Sequence, residues 1–191
     1  MNAQIVVSIP EVYQKIKEAT DELKFNMASD LQTGSLLKTL VASKPSGKFL
    51  ELGTGTGLAT AWIAAGMDEH SSLISVDNNG LLIDVAKKYI SDKRVEFIVA
   101  DGYEWILNNR QNKFDLIFAD AMPGKYDLFE ETIGMLNQNG FYIIDDMLPQ
   151  PNWPAGHDER VNDFVNQLEK RTALLITKLN WSTGIIIVVK K

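Results

Sequence analysis

The chain has 191 residues, 45% of them hydrophobic, which is one domain's worth of sequence with enough apolar material for a sizeable core. It contains no cysteine, so disulfides, thiolate catalysis and cysteine-ligated zinc are excluded. A formal charge of −6 without a basic stripe argues against nucleic acid or an anionic membrane as the main partner. No leader pattern opens the sequence and no apolar run approaches a membrane span, so a soluble cytoplasmic protein is expected.

In chain order, Ser8-Ile9-Pro10-Glu11 fits a capping box with Ser8 as N-cap. Val12, Ile16, Ala19 and Leu23 follow at helical spacing. This helix precedes the sheet, and simple packing is the favoured role for it over covering a ligand or forming a dimer face. A second helix carries Leu36, Leu37, Leu40 and Val41 and stops near Lys44-Pro45. Residues 1–44 read as a helical extension and 45–191 as the core of a single domain.

The stretch from Phe49 to Gly57 organises the rest of the chain. An apolar run ends in Glu51, then Gly53, Gly55 and Gly57 alternate with threonines, and apolar residues resume at Leu58. This predicts strand, glycine turn and helix, with Gly66 closing the helix. The turn lets the backbone approach a ligand, and the helix start offers free N–H groups. Such a unit binds a nucleotide-like ligand at the carboxyl end of a parallel sheet. The dinucleotide fingerprint would need glycine at Leu58, and a P-loop would need Gly-Lys-Ser/Thr; neither is present. An acidic residue at the turn suits a cationic, hydroxyl-rich ligand better than a pyrophosphate. S-adenosylmethionine, with a sulfonium, an ammonium and a ribose diol, has that chemistry.

Strand two reads as Leu73–Val76 and ends at Asp77, about 20 residues past Gly57, where a doubly wound fold places a carboxylate on ribose hydroxyls. Asp77-Asn78-Asn79-Gly80 is also turn chemistry. Leu81 to Tyr89 is helical. Strand three, Val95–Ala100, ends at Asp101-Gly102, where Asp101 suits both an adenine contact and a helix N-cap. Strand four is Phe114–Ala119, ending at Asp120. A helix is expected over Tyr126–Leu136 and a turn at Asn137–Gly140. Strand five is Phe141–Ile144, ending at Asp145-Asp146. The segment from Met147 to His157 holds three prolines and Trp153, a composition suited to walling a pocket. Asp158 can cap a helix presenting Val161, Phe164, Val165 and Leu168. Ala173–Leu179 and Gly184–Val189, linked by Asn180-Trp181-Ser182-Thr183, read as an antiparallel pair. The resulting expectation is an α/β, Rossmann-like fold: a seven-stranded, mostly parallel sheet with one antiparallel strand and helices on both faces.

Every strand from one to five ends in a carboxylate, and these ends share one rim. Glu51, Asp77 and Asp101 are assigned to the cofactor. Asp120, Asp145 and Asp146 suit a hard oxygen-loving cation such as Mg²⁺.

Glu51-Leu-Gly-Thr-Gly-Thr-Gly57 resembles motif I of the class I S-adenosylmethionine-dependent methyltransferases. From Leu31 to Lys191 the chain is similar to the cation-dependent O-methyltransferases related to the caffeoyl-CoA and catechol enzymes. The resemblance implies cofactor contacts at Ser29, Glu51, Gly53, Thr54, Gly55, Gly57, Asp77, Asn78, Asp101, Gly102 and Asp120. It implies a divalent metal on Asp120, Asp145 and Asp146, with Asp120 and Asp146 taking part in catalysis. It points to methyl transfer onto an oxygen of a small hydroxylated aromatic acceptor, and to a homodimer. One departure stands out. The family's usual lysine, three residues after the first metal aspartate, is Pro123 here, and Lys125 is two residues later. Lys125 reads equally as a substitute for it or as a surface salt-bridge partner; His157 reads as a loop histidine or a base. A metal-independent N- or O-methyltransferase, a non-catalytic S-adenosylmethionine-binding module and, more distantly, a nicotinamide dehydrogenase stay open.

Overall fold

The computed structural model describes residues 8–151, 153–180 and 182–191. Asn152 of the proline-containing loop, Trp181 of the hairpin link and the first seven residues, where a leader pattern would begin, lie outside the described residues. One seven-stranded sheet runs β3-β2-β1-β4-β5-β7-β6. Its strands are β1 (Lys48–Leu52), β2 (Ser72–Asp77), β3 (Val95–Val99), β4 (Phe114–Ala119), β5 (Leu136–Ile144), β6 (Leu174–Leu179) and β7 (Ile185–Lys190). β7 is antiparallel to both of its neighbours, β5 and β6, and the remaining pairs are parallel. The sheet expected from sequence, with its single antiparallel strand, is the sheet observed.

Side-chain alternation along the central strands builds two cores. Leu50 and Leu52 of β1, with Ile117 and Ala119 of β4 and Tyr142 and Ile144 of β5, face one side. There they meet Trp105 and Ile106 of α5 (Gly102–Asn108), Phe129 and Ile133 of α7 (Phe129–Gly134) and Val161, Phe164 and Leu168 of α8 (His157–Glu169). Phe49, Leu116, Phe118 and Ile143 face the other side, against Leu37 and Val41 of α2 (Leu31–Ala42) and Ala59 and Ile63 of α3 (Leu58–Gly66). Each fully buried aliphatic side chain stabilises by about 1.5–3 kcal/mol, so both faces resist exposure. Coverage of both faces explains why these strands read as apolar runs rather than as an alternation with polar residues. Among the described residues no helix is long and apolar enough to cross a membrane.

Four local expectations need correction. Asp158 does not cap α8: it lies in the first turn, and the helix starts after the left-handed Gly156 with no side-chain cap. The Ser8–Glu11 capping box does not form. Ser8 has φ of 65°, not the extended backbone of an N-cap, and α1 (Tyr13–Glu22) starts after Val12 with no side-chain cap. Its buried face is Tyr13, Ile16 and Thr20, while Leu23 is exposed. The helix expected over Tyr126–Leu136 is broken. α6 (Met122–Lys125) is one distorted turn, with Pro123 and Gly124 outside helical geometry, and Leu128 takes a left-handed conformation before α7 begins. The Asn137–Gly140 turn lies inside β5 as an excursion. Pairing jumps from Phe114–Leu136 to Leu116–Phe141, and Asn139 has φ of 61°.

Candidate active site

Hydrogen bonds that continue the parallel ladders bring the strand ends together. The Gly53 N–H donates to the Val76 carbonyl, the Asp120 N–H to Leu52, the Ala100 N–H to Asp77 and the Asp145 N–H to Ala119. They open on one cleft of about 1000 Å³ at the point where strand order reverses between β1 and β4. This is where an open α/β sheet binds its ligand.

Gly53, Thr54, Gly55, Asp77, Asn78, Asp101 and Gly102 line one end of the cleft. Asp77 is held by backbone donors, with Oδ2 accepting from Gly55 N–H at 2.8 Å and Oδ1 from Asn79 N–H at 2.8 Å. Asp101 caps α5 through Oδ1, which accepts from the N–H groups of Tyr103 and Glu104 at 2.8 and 3.1 Å. Its two expected roles are compatible, since its second oxygen is not used in the cap. Gly53 has φ of 102°, and a Cβ there would lie 2.6 Å from the Asp120 carbonyl oxygen. Only glycine lets β1 and β4 close to this distance.

Two expected cofactor residues do not reach the cleft wall. Glu51 is fully buried under the glycine turn, its Oε2 accepting from Thr60 Oγ at 2.5 Å and from Ser75 Oγ. Its place mid-strand turns the side chain inward toward α3 instead of outward over the rim. Burial pushes the Glu51 carboxyl up to about 7, against the two hydroxyls, which favour its charge. Ser75 also shares a 2.6 Å hydrogen bond with Thr54, which does line the cleft. Glu51 therefore supports the turn from beneath. Gly57 packs against α4 (Gly80–Tyr89), where a Cβ would come within 2.8 Å of Ala86. A further wall is not legible in the sequence. Residues 23–29, between α1 and α2, line the same end, with Phe25 against Gly55. Of these only Ser29 is an expected contact, and its hydroxyl donates to Asp120 Oδ2 at 3.2 Å. No spacing rule marks such a segment, because it reaches the cleft through tertiary packing.

The other end of the cleft gathers Asp120, Lys125, Tyr126, Asp145, Asp146, Trp153, His157 and Thr183. Asp145 is 2% exposed, and its Oδ1 accepts from Thr183 Oγ and from the Asp146 N–H. Burial, then the neighbouring Asp146 charge, pushes its carboxyl up to about 6. Burial and Asp145 raise Asp120 well above the usual carboxylate range, only partly opposed by Lys125. Lys125 is 4% exposed, so its reading as a surface residue is wrong. The α6 turn buries it; Gly124 N–H donates to Asp127 O at 2.7 Å and Tyr142 Oη donates to Gly124 O. Lys125 Nζ lies 3.9 Å from Asp146 Oδ2. His157 opens α8 on the cleft wall, not in a plain loop. Its Nε2 is 3.3 Å from Tyr126 Oη, and its ring meets Trp153 edge-on at 4.5 Å. Burial and the cations Lys125 and Arg160 lower its pKa, which keeps the imidazole neutral. Tyr126 is raised by burial and by Asp146, so it keeps its proton.

A family model described as O-methyltransferase matches residues 4–191. A Mycobacterium ulcerans protein assigned as an O-methyltransferase is 26% identical over 117 residues, 58% of this chain and 52% of that one. The chain thus aligns with about half the length of such curated relatives. The O-methyltransferase of Bacillus cereus, solved with S-adenosylhomocysteine, superposes with a TM-score of 0.82 at 19% identity, over 98% of this chain and 94% of that one. TomG of Streptomyces achromogenes, an O-methyltransferase of tomaymycin synthesis solved with S-adenosylmethionine, superposes equally well at 19% identity, over 98% and 92%. At these identities the superpositions speak for the fold, and the family model speaks for the lineage: the chain belongs to the O-methyltransferase family.

Proposed function

We propose that the chain transfers the methyl group of S-adenosylmethionine to an oxygen of a small hydroxylated aromatic acceptor. One observation carries this reading: a single cleft joins the glycine turn, with Asp77 and Asp101, to an acid- and aromatic-lined end that holds Lys125 and His157. Bound at the turn, S-adenosylmethionine supplies an electrophilic methyl on a sulfonium. In this reading Asp77 takes the ribose diol and Asp101 the adenine amino group. Asp120, which accepts from Ser29, takes the ammonium of the methionyl part. The residues fit a cation-bearing ligand, because Asp120 and Asp145 are held above their ordinary pKa and gain from a positive neighbour.

Tyr126 and Trp153 offer faces and edges to a flat ring, and aromatic pairs of this kind are worth about 0.5–1.5 kcal/mol beyond area burial. His157, neutral, is the group available to take the acceptor's proton. Tyr126, protonated, can hold the imidazole through the Oη–Nε2 contact.

The donors do not suit the metal that the resemblance implies. Among the described residues no group of three or more acidic or histidine side chains gathers as a metal site. Asp145 Oδ1 is engaged by Thr183 and by the Asp146 N–H, and Asp146 Oδ2 faces Lys125. This arrangement does not fit a divalent ion on Asp120, Asp145 and Asp146.

Calorimetric titration with S-adenosylhomocysteine, followed by transfer of labelled methyl to a panel of phenols, tests the reading. One-to-one binding with turnover on a phenol is expected. Binding without turnover across the panel would favour a non-catalytic module, and no binding would remove the methyltransferase reading.

A further inference from the structure

We propose that the Lys125 ammonium is the cation of the acceptor end, standing where a divalent ion would otherwise be required and receiving a single acceptor oxygen as an anion. The inference rests on the methyltransferase reading of the same cleft and deepens it to a substrate class: acceptors with one acidic hydroxyl, not a chelating vicinal pair.

Four observations carry it. Lys125 is 4% exposed and lines the cleft. Among the described residues its Nζ has no hydrogen-bond partner, and the nearest carboxylate oxygen, Asp146 Oδ2, is 3.9 Å away, beyond hydrogen-bonding reach. An ammonium has three donors, and since no described group accepts from this one, which lines the cleft, a ligand oxygen is the fitting complement. The turn that delivers it is pinned, through Tyr142 Oη on Gly124 O and Gly124 N–H on Asp127 O, so the charge is pre-placed. Finally, one oxygen each of Asp145 and Asp120 is already hydrogen-bonded, to Thr183 and Ser29, and the cation that Asp146 Oδ2 faces, at 3.9 Å, is Lys125.

One ammonium presents one positive point, whereas a metal ion presents several coordination positions to two oxygens at once. Lys24, the other lysine on the cleft wall, belongs to the segment over the glycine turn. The acceptor end therefore selects for one oxyanion. In the step itself the acceptor hydroxyl gives its proton to the His157 imidazole. The oxygen lone pair forms the new O–C bond as the S–C bond breaks, and that bond's electron pair stays on sulfur. The sulfonium becomes a neutral thioether, the imidazolium returns its proton to water, and Lys125 keeps its protons throughout.

The test uses the full chain saturated with S-adenosylhomocysteine, with 4-nitrophenol and 4-nitrocatechol as probes in excess EDTA, read by calorimetry and by the phenolate absorption band. The native chain is expected to bind 4-nitrophenolate with a shifted band, and to hold 4-nitrocatechol no more tightly. Lys125→Met is expected to weaken the phenolate at least about tenfold while leaving S-adenosylhomocysteine affinity within about twofold. Lys125→Arg should keep most of the phenolate affinity. Mn²⁺ titrated into the native complex should show no saturable site. Saturable one-to-one Mn²⁺ binding, phenolate binding equal in the native and Met proteins, or no phenolate binding to the native complex would overturn the proposal. Failure of the homocysteine product to bind the native chain would instead overturn the underlying methyltransferase reading.

Discussion

The two ends of the cleft are built differently. At the glycine-turn end, position is set by the backbone. Strand-end N–H groups bond across the ladder, Asp77 accepts from two main-chain donors, and Asp101 caps a helix. At the acceptor end, position is set by side chains on irregular backbone. Lys125 sits on a non-helical turn, Asp146 has φ of 57°, and His157 follows the left-handed Gly156. The first end has Asp77 and Asp101 held by backbone donors. The second has raised carboxylates and a buried ammonium that no described group hydrogen-bonds. A generic ligand can be read by backbone geometry, whereas the chemistry of one acceptor is written in side-chain charge left for the ligand to complete.

The largest expected effect breaks the backbone end. Gly53→Ala places a Cβ 2.6 Å from the Asp120 carbonyl at φ of 102°, and should cost about 3 kcal/mol or more of stability. Denaturant unfolding beside the native chain measures it. Glu51 sharpens the comparison at similar size. Its folded pKa, about 7, is raised above the 4.5 of the unfolded chain. The protonated carboxyl therefore supports the fold fully below about pH 4.5. That support, about 3 kcal/mol, is lost as pH rises from 4.5 to 7. Glu51→Gln should flatten the stability profile over that window, and a profile as steep as the native one would contradict the burial argument.

Lys125→Met attacks the other end. It should lower kcat/KM about 100-fold, near 2.7 kcal/mol, with S-adenosylmethionine KM nearly unchanged, as steady-state kinetics would show. The smallest of these effects is at Asp77. Asp77→Asn should weaken S-adenosylhomocysteine about tenfold, the loss of one charge-assisted contact, as measured by calorimetry.

Legibility from sequence follows the same division. The sheet, its antiparallel strand and the rim of strand-end acids were readable, because buried parallel strands and glycine turns leave local signals in Leu50–Gly57, Leu73–Asp77 and Phe114–Asp120. Asp101 as a cap was readable for the same reason. Glu51 was misplaced because spacing shows that a residue is near a turn, not which way its side chain faces. The burial of Lys125 was not readable. It depends on Pro123 and Gly124 breaking a helix that local propensity favours, and on Tyr142, 17 residues beyond Lys125, anchoring the turn. Phe25 over Gly55 and Thr183 on Asp145 are likewise tertiary contacts without a local mark.

The most direct measurement crosses the two ends: affinities of S-adenosylhomocysteine and of 4-nitrophenolate, each determined by calorimetry on the native, Asp77→Asn and Lys125→Met chains in excess EDTA. The account predicts that Asp77→Asn weakens the homocysteine product alone and that Lys125→Met weakens the phenolate alone. Equal weakening of both ligands by either variant, or phenolate binding that needs a divalent ion, would contradict it.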